Sequence, residues 1–180
     1  GFRTLNPVSL LRVEDRNGRV LYDYNQPQGR RIISPQLAFL MNDMMSDTKA
    51  RCAAFGCPNS LEMRDGRPVA AKTGTTNSYK DSWTIGYTPQ MVIGVWLGNT
   101  NNADMDEVPG SLGAAPLWNA LMSWSMREQP KLSWLPPAGI ITKTVCDLNG
   151  MLPSGTCPTV PEYFIEGTEP TLIDNMYQRF

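Results

Sequence analysis

Lys72, Thr73, Gly74 and Thr75 stand as one consecutive set behind a short run of small residues, Val69 to Ala71. Lys72 supplies a cation, and the threonines supply hydroxyls able to donate to a carboxylate. Gly74 leaves a side chain out of what reads as a strand, a common mark of a close approach by a ligand or another backbone. These are the parts of an anionic-substrate site beside a strand edge. The chain has no histidine, which removes a Ser-His-Asp triad, a Cys-His dyad and His-based metal sites. Any general base near neutrality must be Lys, Asp, Glu or Tyr.

Lys-Thr-Gly is one of three signatures of serine acyltransferases of the penicillin-binding kind, beside Ser-x-x-Lys and Ser-x-Asn. Here it continues as Lys72-Thr-Gly-Thr-Thr-Asn77, then Asp81-Ser-Trp-Thr-Ile-Gly-Tyr-Thr-Pro89 and Val92-Ile-Gly-Val-Trp-Leu-Gly-Asn99. That combination resembles the C-terminal half of the transpeptidase domain of class A penicillin-binding proteins of the 1A type. The similarity runs from the hairpin before Ser34 to Gly167-Thr-Glu-Pro170. It implies an α/β (α+β) fold, an antiparallel sheet with packed helices, as part of a serine β-lactamase/penicillin-binding transpeptidase-like domain.

The resemblance also implies roles. A serine attacks the D-alanyl-D-alanine end of a peptidoglycan stem peptide, or a β-lactam that mimics it, and the acyl-serine is resolved by an amino group of a neighbouring peptide. Lys72 would support proton transfer around that serine and add positive potential. Thr73 and Thr75 would bind the substrate carboxylate across Gly74, and the Thr75 backbone N–H would serve the oxyanion hole. Neither cofactor nor metal is implied. The family works on the exocytoplasmic face of the bacterial membrane, anchored by an upstream helix, with a glycosyltransferase upstream as well.

The departures matter as much. Ser46-Asp-Thr-Lys49 matches Ser-x-x-Lys formally. In the family, however, the nucleophile lies far upstream of Lys-Thr-Gly, beyond a helical subdomain and Ser-x-Asn. The interval from Ser46 to Lys72 holds neither, and no Ser-x-Asn or Tyr-x-Asn occurs. Ser46 is therefore read as an exposed helix-end residue, and the chain as inactive alone. The competing function is a non-catalytic exported module that binds cell-wall peptides or another protein. Gly66 to Thr73 also approaches a phosphate loop, but Ala71 replaces its second glycine and Gly74-Thr-Thr-Asn77 is a poor helix start.

Composition fits this frame. The 180 residues suit one domain with a core. A net charge of −1 and a pI of about 5.5 leave no electrostatic footprint for nucleic acid. No apolar run reaches transmembrane length and no signal-peptide pattern occurs. The chain opens at Gly1-Phe2-Arg3 without an initiator methionine, as a piece of a longer protein would. Cys52, Cys57, Cys146 and Cys157 form two local pairs. Two short-loop disulfides are preferred, supported by the family's location; a tetrathiolate zinc site and free thiols stay open, though neither spacing is the tight Cys-x-x-Cys of zinc ribbons.

Positioning falls to a simple series of elements. Asn17-Gly18 predicts a type I′ hairpin between Leu10–Asp15 and Arg19–Tyr24. Ser34-Pro35 opens a helix whose buried face is Leu37, Leu40, Met41, Met44 and Met45. Arg51 to Gly66 reads as a loop, and Asn77 to Lys80 as a polar turn. Ser82–Tyr87 and Met91–Leu97 form a hairpin; Trp83, Ile85 and Tyr87 alternate on one face, as do Met91, Ile93, Val95 and Leu97, and the aromatics are expected to cover the sheet under helices. Asp104, Asp106 and Glu107 invite a calcium reading, but EF-hand spacing is absent and a solvated loop is expected. A helix from Pro116 to about Arg127 carries Leu117, Leu121 and Trp124, with Trp118, Met122 and Met126 beside them, on a broad apolar face. Residues 1–127 are assigned to the transpeptidase part and 128–180 to a Pro-rich tail ordered mainly by Cys146–Cys157. Without its helical partner the half-domain would expose apolar surface, and a homodimer is the expected cover.

Overall fold

The computed structural model describes residues 2–4, 8–24, 29–106 and 108–176, the first three as backbone only. Its strands are β1 (Phe2–Thr4), β2 (Arg12–Glu14), β3 (Val20–Asp23), β4 (Gly29–Arg31), β5 (Ala70–Thr75), β6 (Asp81–Tyr87), β7 (Val92–Gly98), β8 (Ile140–Cys146) and β9 (Thr159–Ile165). Its helices are α1 (Pro35–Ser46), α2 (Thr48–Phe55) and α3 (Ala114–Met126). The centre is an antiparallel sheet in the order β5-β6-β7. Two-stranded ribbons, β1-β4, β2-β3 and β8-β9, accompany it.

Strand β6 turns the opposite face to α3 from the one its pattern predicts, whereas β7 sends Ile93, Val95 and Leu97 into that core as its alternation predicts. Trp83 and Ile85 are exposed, whereas Ser82 and Thr84 are fully buried. The reason is the size of Trp118, which is itself fully buried. A Cβ on Gly86 would lie 2.3 Å from Trp118 Cζ2 and 2.9 Å from the Ala71 Cβ. So large a ring needs small residues opposite it. The two hydroxyls are paired on this face: Ser82 Oγ accepts from Ala114 N–H at 3.1 Å, and Thr84 Oγ1 donates to the Gly110 carbonyl at 3.3 Å. Ser82 thereby satisfies one of the orphan donors at the start of α3.

The helices are corrected in the same sense. α3 buries Trp118, Met122 and Met126, and leaves Leu117, Leu121 and Trp124 exposed. Helix α1 begins as expected, with Ser34 Oγ accepting from Leu37 N–H at 3.1 Å. It packs, however, through buried Phe39 and leaves Leu37, Met41 and Met44 exposed. Phe39 meets Tyr163 edge-on at 5.1 Å, and Asn42 Oδ1 accepts from the Tyr87 hydroxyl at 2.8 Å. Apolar spacing marks a helix flank; which of two adjacent flanks meets the sheet depends on the partner's shape.

Three local readings change. Residues 51–55 continue helix α2, capped by Asp47 Oδ1 accepting from Ala50 N–H at 2.9 Å. Arg51 is buried there and donates to the Leu61 and Met45 carbonyls. In the first hairpin only Gly18 takes positive φ, at 80°, so the turn is not type I′. Asp15 Oδ1 instead accepts from Asn17 N–H at 2.8 Å and Arg19 N–H at 2.9 Å, and the register shifts between Val13 and Glu14. The near-phosphate-loop sequence runs on as a strand through Thr75 and meets a three-residue 3₁₀ turn, not the start of an α-helix.

The tail is ordered by more than its disulfide. β8 and β9 pair over their whole length. Buried Asp174 gathers Asn149 Nδ2 at 2.6 Å, Ser154 Oγ at 3.1 Å and Met176 N–H at 3.1 Å. Gln36 Nε2 donates to the Ala138 carbonyl at 2.7 Å, and Trp134 meets Tyr87 edge-on at 5.8 Å.

Two glycines of the same sheet test this packing. Gly86→Ala should cost about 1–3 kcal/mol through overpacking against Trp118. Gly94→Ala, whose Cβ would meet Ile85 Cγ1 at an ordinary 3.6 Å, should leave stability unchanged or slightly raised. Urea unfolding of both variants of this chain measures the contrast; equal effects would contradict the packing account.

Candidate functional site

Strand β5 pairs with β6 and forms one edge of the central sheet among the described residues. Thr76 N–H donates to the Asp81 carbonyl at 3.1 Å. In an antiparallel ladder, hydrogen-bonded pairs alternate with unbonded ones. Gly74–Trp83 and Lys72–Ile85 are therefore the next bonded pairs, and the N–H and C=O groups of Thr73 and Thr75 point to the open edge. The Lys72 ammonium donates to the Thr73 carbonyl, which brings the cation round to that same edge. Lys72 and Gly74 belong to one face of the pleat and Thr73 and Thr75 to the other. What unites them is the edge.

The edge is accessible. Lys72 and Thr75 are exposed, and Thr73 and Gly74 are half-buried. Behind it, the turn at Gly110 is laid on the strand. Gly110 N–H donates to Thr75 Oγ1 at 3.0 Å. A Cβ on Gly110 would lie 2.7 Å from the Gly74 carbonyl oxygen and 2.7 Å from that of Trp83. On Gly74 a Cβ would meet only Trp83 Cβ, at an ordinary 3.5 Å. The close approach expected at Gly74 is thus made by Gly110. Its only sequence signal is the Pro109-Gly110 dipeptide, within a stretch read as solvated loop.

The exit of β5 is clamped. Thr76 Oγ1 donates to Asp81 Oδ2 at 3.0 Å and accepts from Asp81 N–H at 2.8 Å. Trp96 Nε1 donates to Asp81 Oδ1 at 2.7 Å. The intervening 3₁₀ turn, Asn77–Tyr79, holds Ser78 at φ 59° and Tyr79 at φ 54°, left-handed positions that cost non-glycine residues energy. Sequence reasoning missed Asp81 and Trp96 as supports of the strand.

The remaining candidates lie elsewhere. Ser46 ends α1 half-buried, not exposed, and its hydroxyl donates to the Asp43 carbonyl at 3.2 Å. Cys52 and Cys57 are joined beside α2 with Cα atoms 5.1 Å apart, and Cys146 and Cys157 in the tail at 5.6 Å. Disulfide sulfurs are not the thiolates that zinc takes. Asp104 pairs with Lys80 at 3.8 Å, and Glu107 lies outside the described residues.

Charge is perturbed away from the edge. Burial raises the Asp43 carboxyl, helped by the charge of Asp47. Burial also raises Glu162, with Asp43 and then Asp47 adding to it. For Asp65, burial is the largest single influence and acts upward, but hydrogen bonds and charge from Arg67, together with Lys131, outweigh it and lower the group. Raised carboxyls bind protons more tightly in the folded chain than in the unfolded one. Their contribution is present at low pH and is lost as pH rises from the ordinary carboxylate range, ~4, through the raised folded values. Glu162→Gln should accordingly flatten the decline of stability over that window. Urea midpoints measured across pH test this; a decline parallel to that of the unmodified chain would contradict it.

Comparison with known proteins gives consistent results. The family model described as penicillin binding protein transpeptidase domain matches residues 3–123. That of the penicillin-binding protein 1A C-terminal domain matches 136–179. Penicillin-binding protein 2D of Bacillus subtilis is 30% identical over 176 residues, 94% of this chain and 25% of that protein. Penicillin-binding protein 1A of Escherichia coli is 33% identical over 165 residues, 78% of this chain and 18% of that protein. The chain thus spans a quarter or less of the length of these relatives. The crystal structure of penicillin-binding protein 1A from Haemophilus influenzae superposes with a TM-score of 0.74 at 24% identity, over 94% of this chain and 30% of that one. That likeness supports the fold alone.

Proposed function

This chain belongs to the penicillin-binding protein transpeptidase family, and from that premise we propose that the open edge of β5 is the substrate-receiving side of a peptidoglycan D,D-transpeptidase site. The serine nucleophile and the Ser-x-Asn element would come from a preceding part of the same protein. One observation carries the reading: the Lys72 ammonium, the Thr73 carbonyl and the Thr75 N–H share that edge.

The reaction assigns each group a task. The serine oxygen attacks the carbonyl of the penultimate D-alanine, the peptide bond breaks, and D-alanine leaves with a proton. The acyl-serine ester is then attacked by an amino group of a second stem peptide, which forms the cross-link and returns a proton to the serine. With a β-lactam the ring amide opens instead, and the leaving nitrogen stays tethered. Thr75 N–H meets the oxyanion that develops at the attacked carbonyl; one such donor is worth about 3–4 kcal/mol. The Thr73 and Thr75 hydroxyls receive the terminal carboxylate, and Lys72 supplies positive potential and a place in the proton network. An extended stem peptide would align along the free N–H and C=O groups as an added strand.

Taken alone the chain would bind rather than react. Its disulfides fit an oxidising, exocytoplasmic setting, with anchorage supplied from elsewhere in the protein, since no described helix is long and apolar enough to cross a membrane. The exposed flanks Leu37–Met41–Met44 and Leu117–Leu121–Trp124 would be covered by the rest of the domain, or in the isolated chain by a second copy.

Lys72→Ala in the full-length parent should lower β-lactam acylation by about a hundredfold or more, in line with loss of a charged catalytic group, while leaving the thermal midpoint unchanged. Labelled-penicillin kinetics measure it, and acylation at the ordinary rate would remove Lys72 from the mechanism.

A further inference from the structure

We propose that Gly110 and Thr84 are positioning residues for the substrate carboxylate, acting through the Thr75 hydroxyl; the inference rests on the reading of β5 given above. A threonine hydroxyl has one proton and two acceptor sites. Gly110 N–H occupies one acceptor site of Thr75 Oγ1 at 3.0 Å, and no described residue takes up the hydroxyl proton. An accepted hydrogen bond also polarises a hydroxyl and makes it a better donor. Thr75 is exposed while Gly110 is buried. The latch therefore presents a donor to the solvent side, where an anionic ligand would arrive, and leaves its acceptor side engaged behind the strand.

The position of Gly110 is fixed from three sides, the first being Ala115 N–H, which donates to its carbonyl at 2.9 Å. Thr84, fully buried on β6, donates to the Gly110 carbonyl at 3.3 Å. The backbone of the turn then lies so close that a Cβ would come within 2.7 Å of two carbonyl oxygens, those of Gly74 and Trp83. Both are backbone atoms of paired strands and do not move aside as a flexible side chain would. Any side chain at 110 must lift the turn from the strand, and the N–H to Thr75 is the contact that lifting breaks. Thr75 would then rotate freely, and its hydroxyl would be as ready to accept as to donate.

The consequence is selective. Orientation of the Thr75 hydroxyl matters to a ligand that carries a free carboxylate and not to one whose carboxyl is masked. The test is acylation of the full-length parent by a penicillin and by its carboxyl methyl ester. In Gly110→Ala the rate with the free acid should fall roughly ten- to hundredfold, the range for one hydrogen bond to a charged group, with the ester rate nearly unchanged. Thr84→Val, close in size, should shift the same ratio in the same direction, and Thr84→Ser, which keeps the donor, should restore it. Thr75→Val should reproduce the loss, and adding Gly110→Ala to it should change little further.

Equal losses with acid and ester in both Gly110→Ala and Thr84→Val would make the latch purely structural and overturn the proposal. So would an additive double variant. If the unmodified parent itself fails to prefer the acid over the ester, the carboxylate-binding reading of β5 falls, and the latch falls with it for that separate reason. Should Gly110→Ala fail to fold, Thr84→Val and its serine rescue decide the matter.

Discussion

The seating of Trp118 on a face of small residues governs the rest of the molecule. The indole is fully buried, its Nε1 donates to the Ile93 carbonyl at 3.1 Å, and Gly86 and Ala71 leave room for it. That seat fixes how close α3 comes to the sheet. It therefore also fixes where the chain entering α3 must run. The first turn of the helix is met by Ser82, and the turn just before it, at Gly110, is pressed against β5 and held by Thr75 and Thr84. A core contact thus sets the geometry behind the Lys72–Thr75 edge.

The far end of α3 is tied to the same strand. Arg67, buried just before β5, donates through Nη2 to the Met126 carbonyl at 2.9 Å and the Gln129 carbonyl at 3.2 Å, and through Nε to Asp65 at 2.8 Å. It adds a second donor to the Met126 carbonyl at the end of the helix, a group that also accepts from Gln129 N–H at 3.1 Å. Its Nη1 is buried without a partner among the described residues, a cost accepted for a brace that joins the entry of β5 to the exit of α3. At the other end of β5, Thr76, Asp81 and Trp96 fasten the exit. The strand is held at its start, its middle and its end, and only its outer edge is left free. That is the arrangement a rigid receiving edge requires.

The sequence disclosed chemistry better than packing. Lys72, Thr73, Gly74 and Thr75 were legible because a cation, two hydroxyls and a glycine in sequence order form a dense local signal. The helix start at Ser34-Pro35 was legible because capping is local too. Outside β7, the faces were not. Trp83 and Ile85 alternate as a core side should, and Leu37, Met41 and Met44 recur as a buried flank should, yet all are exposed. Hydrophobic period marks apolar sides without saying what covers them, and these sides belong to a chain that spans a quarter or less of its relatives. Gly110 was invisible for another reason. Its importance lies in a contact with β5 and β6 formed only when the chain folds, whereas Gly74, which carried the expectation, has room for a Cβ.

The central claim is that this chain supplies the receiving edge of a transpeptidase site and not its nucleophile. Intact mass measured without reduction, before and after incubation with a reactive β-lactam, tests it most directly, with the full-length parent treated alongside. The account predicts that the parent gains one acyl group. The 180-residue chain should keep its mass, starting about 4 Da below the fully reduced value because each disulfide removes two hydrogens. A stoichiometric acyl adduct on this chain would contradict the account: a serine within it would then be the nucleophile, with Ser46 the first to examine.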